Sequence, residues 1–366
     1  MEAQRITIIG VGLIGGSIGM AIKARWPQAT ITGYDIDKGV LQAALEIGVI
    51  DEAAAGPADG CRDADFVFVA VPVSAIPNVM AEVAGAIGSQ TIVTDVGSTK
   101  TSVVAVAETL FPPEVNFIGG HPMAGSEQEG LSAATPALLQ EAVYVLTPTP
   151  KTSPEAFQKL HALLTKLGAK VMALSPKKHD EVVAAVSHLP HLTASALVNL
   201  AASVEEGVEN RLFFAAGGFR DLTRIASGSP SLWVDICFDN KEAIVKSIDQ
   251  FISGLQDVRD LLARGGRSEL LGLLEAARAR RASMAAGELE AGVYREFDVP
   301  VSDRPGTISQ LTLTFGQLGI NIEDIQIVPL SGDRGVVKLL VNESPNLLKA
   351  LAQLKDYGFH IIERTR

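Results

Sequence analysis

The sequence predicts three successive folding units: an α/β unit on a parallel sheet, an all-helical unit, and a small α+β sandwich. Two observations carry this. Short β-branched runs alternate with Ala-rich stretches from Ile6 to about Leu174, and the β pattern then disappears between about Ser175 and Gly287 before it returns.

In the first unit, residues 1–174, the runs are "ITIIG", "ATITGYD", "ADFVFVAVP", "TIVTDVGS", "NFIGG", "AVYVLTP" and "KVMALS". Continuous apolar strands separated by helices predict a parallel sheet covered on both faces. The second unit, 175–287, carries segments such as "HDEVVAAVSHLPHLTASALVNLAASVEEG", whose apolar residues recur at helical spacing. The third, 292–366, reads "YREFDVPVSD", "GTISQLTLTFGQLG", "INIEDIQIVPL", "GVVKLLVN", "PNLLKALAQLKDYG" and "FHIIE". Strand, helix, strand, strand, helix, strand is the ferredoxin-like order.

Composition narrows the function. With 366 residues, 47% of them hydrophobic, the chain is long enough for several cores. A net charge of -11 disfavours a nucleic-acid partner, which calls for a basic surface. The N-terminal apolar run is broken by Gly10, Gly12, Gly15 and Gly16, which suits a strand and turn rather than a leader or membrane span. Cys61 and Cys237 stand far apart with no ligand at metal spacing, so neither a disulfide framework nor a zinc site is expected. The expectation is a cytoplasmic protein with no membrane partner.

Chemistry enters first through "ITIIGVGLIGGSIGMAI". Gly10, Gly12 and Gly15 have G-x-G-x-x-G spacing between a strand and a helix. They allow a tight turn, close approach of a pyrophosphate and close helix packing, while the helix N-terminus supplies N–H groups. The second strand ends in Asp35, placed to take both ribose hydroxyls, and no Arg follows to hold a 2′-phosphate. The signature predicts a Rossmann-type domain binding NAD.

Dinucleotides bind at the carboxyl ends of parallel strands. The later turns "TDVGSTK" and "FIGGHPMAGSE" therefore bring Ser98 and His121 to the cofactor edge. Ser98 is in position to N-cap the helix starting near Lys100. His121, in a Gly-rich loop with little packing to do, is suited to taking or lending a proton. In "AVSHLPHLTASAL", His188 and His191 share a helix face and Pro190 predicts a kink, but no acidic ligand lies at matching spacing and no metal is expected. In "GGFRDLTRIASGSPSLW", Arg220 and Arg224 stand one turn apart. Arg224 is flanked by apolar Leu222 and Ile225 and needs a carboxylate partner, which an acidic substrate can supply.

Together "GVGLIGGSIG", "DVGSTK", "GGHPMAGSE", "SHLPH" and "GFRDLTRIASGSPSLW" resemble, in type and order, the motifs of prephenate dehydrogenases. The tail from about Val293, with its "DRPG" turn, resembles an ACT regulatory domain. The resemblance covers essentially the whole chain. It implies oxidative decarboxylation of prephenate to 4-hydroxyphenylpyruvate, with NAD as hydride acceptor, in tyrosine biosynthesis. It implies that His121 accepts the ring hydroxyl proton, that Ser98 orients that contact, and that Arg224 holds a carboxylate with Arg220, His188 and His191 lining the pocket. Asp303, Arg304, Pro305, Gly306 and Asn321 are then the expected effector residues, with tyrosine as effector.

Arogenate or dual-specificity cyclohexadienyl dehydrogenases share these motifs and stay open as a reading of the substrate. A non-catalytic NAD and amino-acid sensor would have no reason to assemble Ser98, His121 and Arg224. A β-hydroxyacid or 6-phosphogluconate type dehydrogenase calls for a catalytic lysine, and Lys177, Lys178 and Lys241 lack its context. The broad Ala/Leu faces of the helical unit predict a homodimer.

Overall fold

A computed structural model describes residues 4–126, 128–203, 211–285, 294–302, 304, 306–329 and 334–364. The chain begins with β1 (Arg5–Ile9), α1 (Leu13–Arg25), β2 (Thr30–Tyr34), α2 (Lys38–Glu46), β3 (Glu52–Ala53), β4 (Phe66–Val69), α3 (Ile76–Val83), β5 (Ile92–Asp95), α4 (Thr101–Leu110) and β6 (Asn116–Pro122). It continues through β7 (Val143–Thr147), α5 (Pro154–Lys166) and β8 (Lys170–Ala173) into the helices α6 (Pro176–Val183), α7 (Leu189–Ala202), α8 (Gly217–Thr223), α9 (Pro230–Asp239), α10 (Lys241–Ala263) and α11 (Arg267–Ala285). The last part is β9 (Tyr294–Ser302), α12 (Thr307–Gln317), β10 (Ile322–Pro329), β11 (Arg334–Asn342), α13 (Leu347–Asp356) and β12 (Ile362–Arg364).

Among the described residues the first sheet has strand order β3-β2-β1-β4-β5-β6-β7-β8. Side chains alternate between its faces, as a two-residue period requires. Ile6, Ile8, Phe66 and Phe68 point to one buried cluster, and Ile9, Val67, Val69 and Val93 to the other, which also takes Ile236 from α9. The sheet is mixed, not purely parallel as expected. β6 and β7 pair antiparallel, His121 opposite Val145, while β7 and β8 are parallel. The cause lies in the connection: the described residues of 123–142 form one short 3₁₀ turn, Leu131–Ala133, and no crossover helix to return the chain for parallel pairing. The two-residue β3 was not foreseen either, because "DEAAA" carries no β-branched run.

Local rules set the helix starts that matter for the site. Both α5 and α6 begin Ser-Pro: Ser153 and Ser175 accept hydrogen bonds from the N–H groups of Ala156 and Lys178, each at 3.3 Å, and Pro154 and Pro176 occupy the first turn. α6 runs into α7 through a π turn at Ala184–His188. The irregularity expected from Pro190 is thus a widened turn just before it, which accommodates the missing donor within one continuous helix. By length and apolarity alone this 176–202 stretch could cross a membrane. However, His179, Asp180, His188 and His191 on it are buried against the rest of the protein.

The C-terminal module has strand order β10-β11-β9-β12, all neighbours antiparallel, the ferredoxin-like order predicted. It is not a tethered appendage. Phe157, Leu160 and Leu164 of α5 and Val171 of β8 belong to one buried cluster with Leu311, Phe315, Ile322 and Ile325 of the module. His161 Nε2 donates to the Ile322 carbonyl at 3.0 Å, and Ser309 Oγ to the Thr149 carbonyl at 2.7 Å. α12 covers β8, the edge of the first sheet, so closely that a Cβ on Gly316 would stand 1.7 Å from the Ala173 carbonyl oxygen.

Gly316→Ala therefore has to lift α12 off β8. The expected result is a loss of about 1–3 kcal/mol, the usual range for overpacking, with earlier cleavage of the C-terminal module in limited proteolysis. Wild-type protease resistance and thermal midpoint would show that the module does not depend on this contact.

Candidate active site

The glycine turn has the shape a dinucleotide needs. Gly10 has φ +94°, and a Cβ there would lie 2.5 Å from the Ala70 carbonyl oxygen; one on Gly15 would lie 2.0 Å from the Gly10 carbonyl. Both are compelled to be glycine by the backbone itself. Gly12 differs: a Cβ would meet nothing within 4 Å, so the space above the α1 N-terminus is open, and no side chain caps that helix. Asp35 directly follows β2, with Oδ2 accepting from the Val11 N–H at 2.9 Å and Oδ1 from the Asp37 N–H at 3.0 Å, which aims the carboxylate across the turn. Uncapped N–H groups, open space and a fixed carboxylate fit the pyrophosphate and ribose of NAD.

His121 lies at the end of β6, half-buried, not exposed in a loop as expected. Its Nδ1 is 2.8 Å from His179 Nε2, and His179 Nδ1 is 2.8 Å from Asp180 Oδ1. The hydrogens follow from the end of this chain. An ionised carboxylate only accepts, so His179 Nδ1 donates to Asp180 and His179 Nε2 must accept from His121 Nδ1–H. His121 Nε2 is left with a free lone pair. The strands explain how residues 58 apart meet: Ala173 pairs with Leu146, which pairs with Gly120, so β8 ends level with the histidine and α6 starts beside it.

Asp180 also caps α4. Its Oδ1 accepts from the Lys100 N–H and its Oδ2 from the Thr101 N–H, both at 2.8 Å. Ser98 does not cap this helix, contrary to expectation. The carboxylate from α6 takes that place, and Ser98 remains half-buried in the loop between β5 and α4. Beneath the loop, fully buried Lys100 Nζ bonds to Asp95 Oδ2, which also accepts from the Gly97 N–H at 2.8 Å, while Asp95 Oδ1 takes the Gly120 N–H at 3.2 Å. That pair pins the loop after β5 to the strand carrying His121.

Burial sets the proton affinities. It is the largest effect on His121, held well below the ordinary imidazole value, with further depression from the fields of His179, Lys100 and His188. Burial also lowers His179, partly offset by its bond to Asp180. Burial raises Asp180, but hydrogen bonds from His179 and Thr101 outweigh it, and the carboxyl lies below its usual range. Desolvation pushes His188 down to about 4.

The remaining candidates form a second group. His188 and His191 are both buried and both touch Trp233, His188 edge-on at 6.0 Å and His191 stacked at 3.6 Å. His191 Nδ1 is buried without a partner. Arg220 is exposed on α8, and Arg224, also exposed, starts the 3₁₀ turn Arg224–Ser227 that leads through Gly228 to α9. A Cβ on Gly228 would lie 2.9 Å from Trp233 Nε1, so this turn packs directly on the histidine–tryptophan stack. In the C-terminal module, Asp303 and Pro305 lie outside the described residues. Gly306, φ +87°, immediately precedes α12, and Arg304 is exposed near it. Asn321 stands apart from that turn within one copy. It follows the far end of the 11-residue α12, about 16 Å of helix away at 1.5 Å per residue.

Sequence reasoning missed His179, Asp180, Lys100, Asp95 and Trp233. The one available signal was a His-Asp pair in the first turns of the helix that follows the last strand of the sheet.

The fold and this site define a class: an oxidoreductase with a Rossmann-type domain for a nicotinamide dinucleotide and a helical domain closing on its cofactor edge. Residues 18–173 match the family described as prephenate dehydrogenase, nucleotide-binding domain, and residues 175–276 the family described as prephenate dehydrogenase, dimerization domain. A prephenate dehydrogenase of Bacillus subtilis is 37% identical over 91% of this chain and 91% of its own. The crystal structure of Aquifex aeolicus prephenate dehydrogenase with hydroxyphenyl propionate and NAD+ superposes with a TM-score of 0.73 at 32% identity, covering 78% of this chain and 99% of that one. Synechocystis arogenate dehydrogenase follows at 0.68 and 31%, covering 76% and 99%. The chain belongs to the prephenate dehydrogenase family.

The pH dependence of stability follows from the buried rings. His121, His161, His179, His188 and His191 are all depressed from 6.5, burial being the first cause in each. The unfolded chain, titrating near 6.5, then binds more protons than the folded one below that pH. The contribution of these rings to stability is therefore fully present above about pH 6.5 and is lost as pH drops below it. Calorimetry between pH 8 and pH 5 should show a flat thermal midpoint followed by a steep decline. A midpoint unchanged down to pH 5 would mean that these rings are charged in the folded state.

Proposed function

We propose that this chain catalyses the oxidative decarboxylation of prephenate to 4-hydroxyphenylpyruvate with NAD. The observation that carries the reading is the His121–His179–Asp180 relay, which leaves His121 Nε2 as a proton acceptor at the cofactor edge of the sheet. Bound over the Gly10–Gly15 turn and Asp35, NAD supplies a hydride acceptor. His121 takes the proton of the ring 4-hydroxyl as hydride leaves C4; the ring carboxylate departs as CO₂ and its bonding electrons complete the aromatic ring. His179 and Asp180 hold the imidazole in the accepting tautomer and stabilise the charge it acquires. Ser98 orients the hydroxyl. Arg224 holds a substrate carboxylate, with Arg220, His188 and His191 lining the pocket. The depressed basicity of free His121 means that it is ready to accept at neutral pH, and the two substrate carboxylates raise its proton affinity when they enter.

His121→Asn is expected to bind NAD and prephenate nearly as wild type while losing about 10² to 10⁴ in turnover, the span for a lost general base. NADH absorbance, with prephenate and arogenate as alternative substrates, is the measurement. Near-wild-type turnover would remove His121 from the mechanism, and faster turnover of arogenate would reassign the substrate.

The unit boundaries near 174/175 and between 287 and 292, the latter outside the described residues, make 1–174, 175–287 and 292–366 a catalytic core of two domains and a regulatory third. Two copies pair through the helical domain. In support, Phe213, Phe214, Phe238, Phe251 and Leu255 leave apolar surface uncovered on α9, α10 and the turn before α8. The free thiols Cys61 and Cys237 suit a reducing cytoplasm.

The C-terminal module acts as an ACT-type domain, its strand order and the Gly306 turn being the support. Tyrosine binds at the turn and weakens prephenate binding, and by linkage prephenate weakens tyrosine binding by the same factor. The turn abuts Pro150, and neighbouring Ser309 bonds to Thr149, so a ligand there is felt by the loop after β7. Removing the module would strip its shared core, so a point change is the cleaner test. Arg304→Ala should keep basal turnover and abolish the rise in KM caused by tyrosine. Undiminished inhibition would place tyrosine in the active site as a product-like competitor.

A further inference from the structure

At the junction of α9 and α10, Asn240 is almost fully buried. Its side-chain nitrogen Nδ2 lies 2.9 Å from the Asp180 carbonyl oxygen and 3.2 Å from His188 Nδ1. A backbone carbonyl can only accept, so the amide atom facing it has to be the nitrogen, and the amide cannot be turned the other way. One hydrogen of that nitrogen goes to Asp180. The second points to His188 Nδ1, which must be the acceptor, and the ring hydrogen then sits on Nε2.

We propose that Asn240 is a positioning residue for the substrate pocket: it locks His188 in the Nε2–H tautomer, so that this histidine offers substrate a hydrogen-bond donor and never an acceptor. The proposal rests on His188 lining the prephenate pocket. Such a group grips a carboxylate, carbonyl or hydroxyl oxygen. The groups around His188 agree with it. Asp180 from α6 raises its proton affinity, His179 from α6 and His191 from α7 lower it, Trp233 from α9 meets it edge-on, and burial dominates. The ring thus stays uncharged down to about pH 4, and its hydrogen stays where Asn240 puts it. The same amide, bonded to the Asp180 backbone, ties this donor to the helix that carries the relay.

Two measurements test it. In the full-length protein labelled with ¹⁵N-histidine at pH 7, His188, assigned by the signal lost in His188→Gln, should show a protonated Nε2 and an unprotonated Nδ1. Asn240→Ala should mix the two tautomers and raise KM for prephenate by about tenfold while kcat stays within about twofold. Asn240→Asp, whose carboxylate can only accept, should draw a hydrogen onto Nδ1 and add an ionisation to the pH profile of kcat/KM that the wild type lacks. A protonated Nδ1 in the wild type overturns the proposal, as does an unchanged KM in Asn240→Ala. Should the alanine variant fail to fold, the wild-type spectrum still decides. If the chain does not oxidise prephenate at all, the spectrum separates that failure from an error about Asn240.

Discussion

The Asp180 carboxylate organises this molecule. It accepts hydrogen bonds from the Lys100 and Thr101 N–H groups and from His179 Nδ1, so one side chain completes the N-terminus of α4 and fixes the proton positions of the relay. Because α4 belongs to the first domain and α6 to the second, the same bonds set where the helical domain sits on the cofactor edge. A neutral side chain of the same size could not do all three things. The two backbone donors and the imidazole each need an acceptor, and the positive end of the α4 dipole favours an anion.

Below it, the buried Lys100–Asp95 pair gives the loop after β5 a single conformation. Buried pairs of this kind are weak evidence for stability and better evidence for fixed geometry, because breaking one strands a charge. Here the geometry is that of the strand end carrying His121: Asp95 also takes the Gly120 N–H, and Gly119 and Gly120 leave no room for a Cβ against Thr147 and Thr94. The "GGHP" spacing is thus dictated from beneath by packing.

What could be read in the sequence was what is local. The Gly10–Gly15 turn, Asp35, the order of strands and helices, and the ferredoxin-like tail each depend on residues near one another in the chain. His121 was legible because a strand end is a local feature. Its partners were not: His179 is 58 residues away and Asp180 lies 80 residues from the Lys100 N–H it binds. The antiparallel β6–β7 turn-back, which brings α6 beside His121, depends on a long loop with no strong pattern, whose described residues form no crossover helix. Ser98 was given the cap because a serine near a helix start is the commonest local solution, and a carboxylate from another domain cannot be seen in the same window. Within one copy, the direction of α12 sets Asn321 apart from the Gly306 turn.

That α4 is capped from the second domain has a bearing on synthesis. The helix leaves the ribosome 80 residues before its cap, and at roughly 5–20 residues per second the interval is on the order of several seconds. During that interval β6, β7 and β8 are still being made, and the α4 N-terminus, the loop below it and His121 lack the anchor that α6 supplies. The arrangement of the α4 end, its loop and His121 is therefore completed only when α6 docks, and not by the first sheet alone.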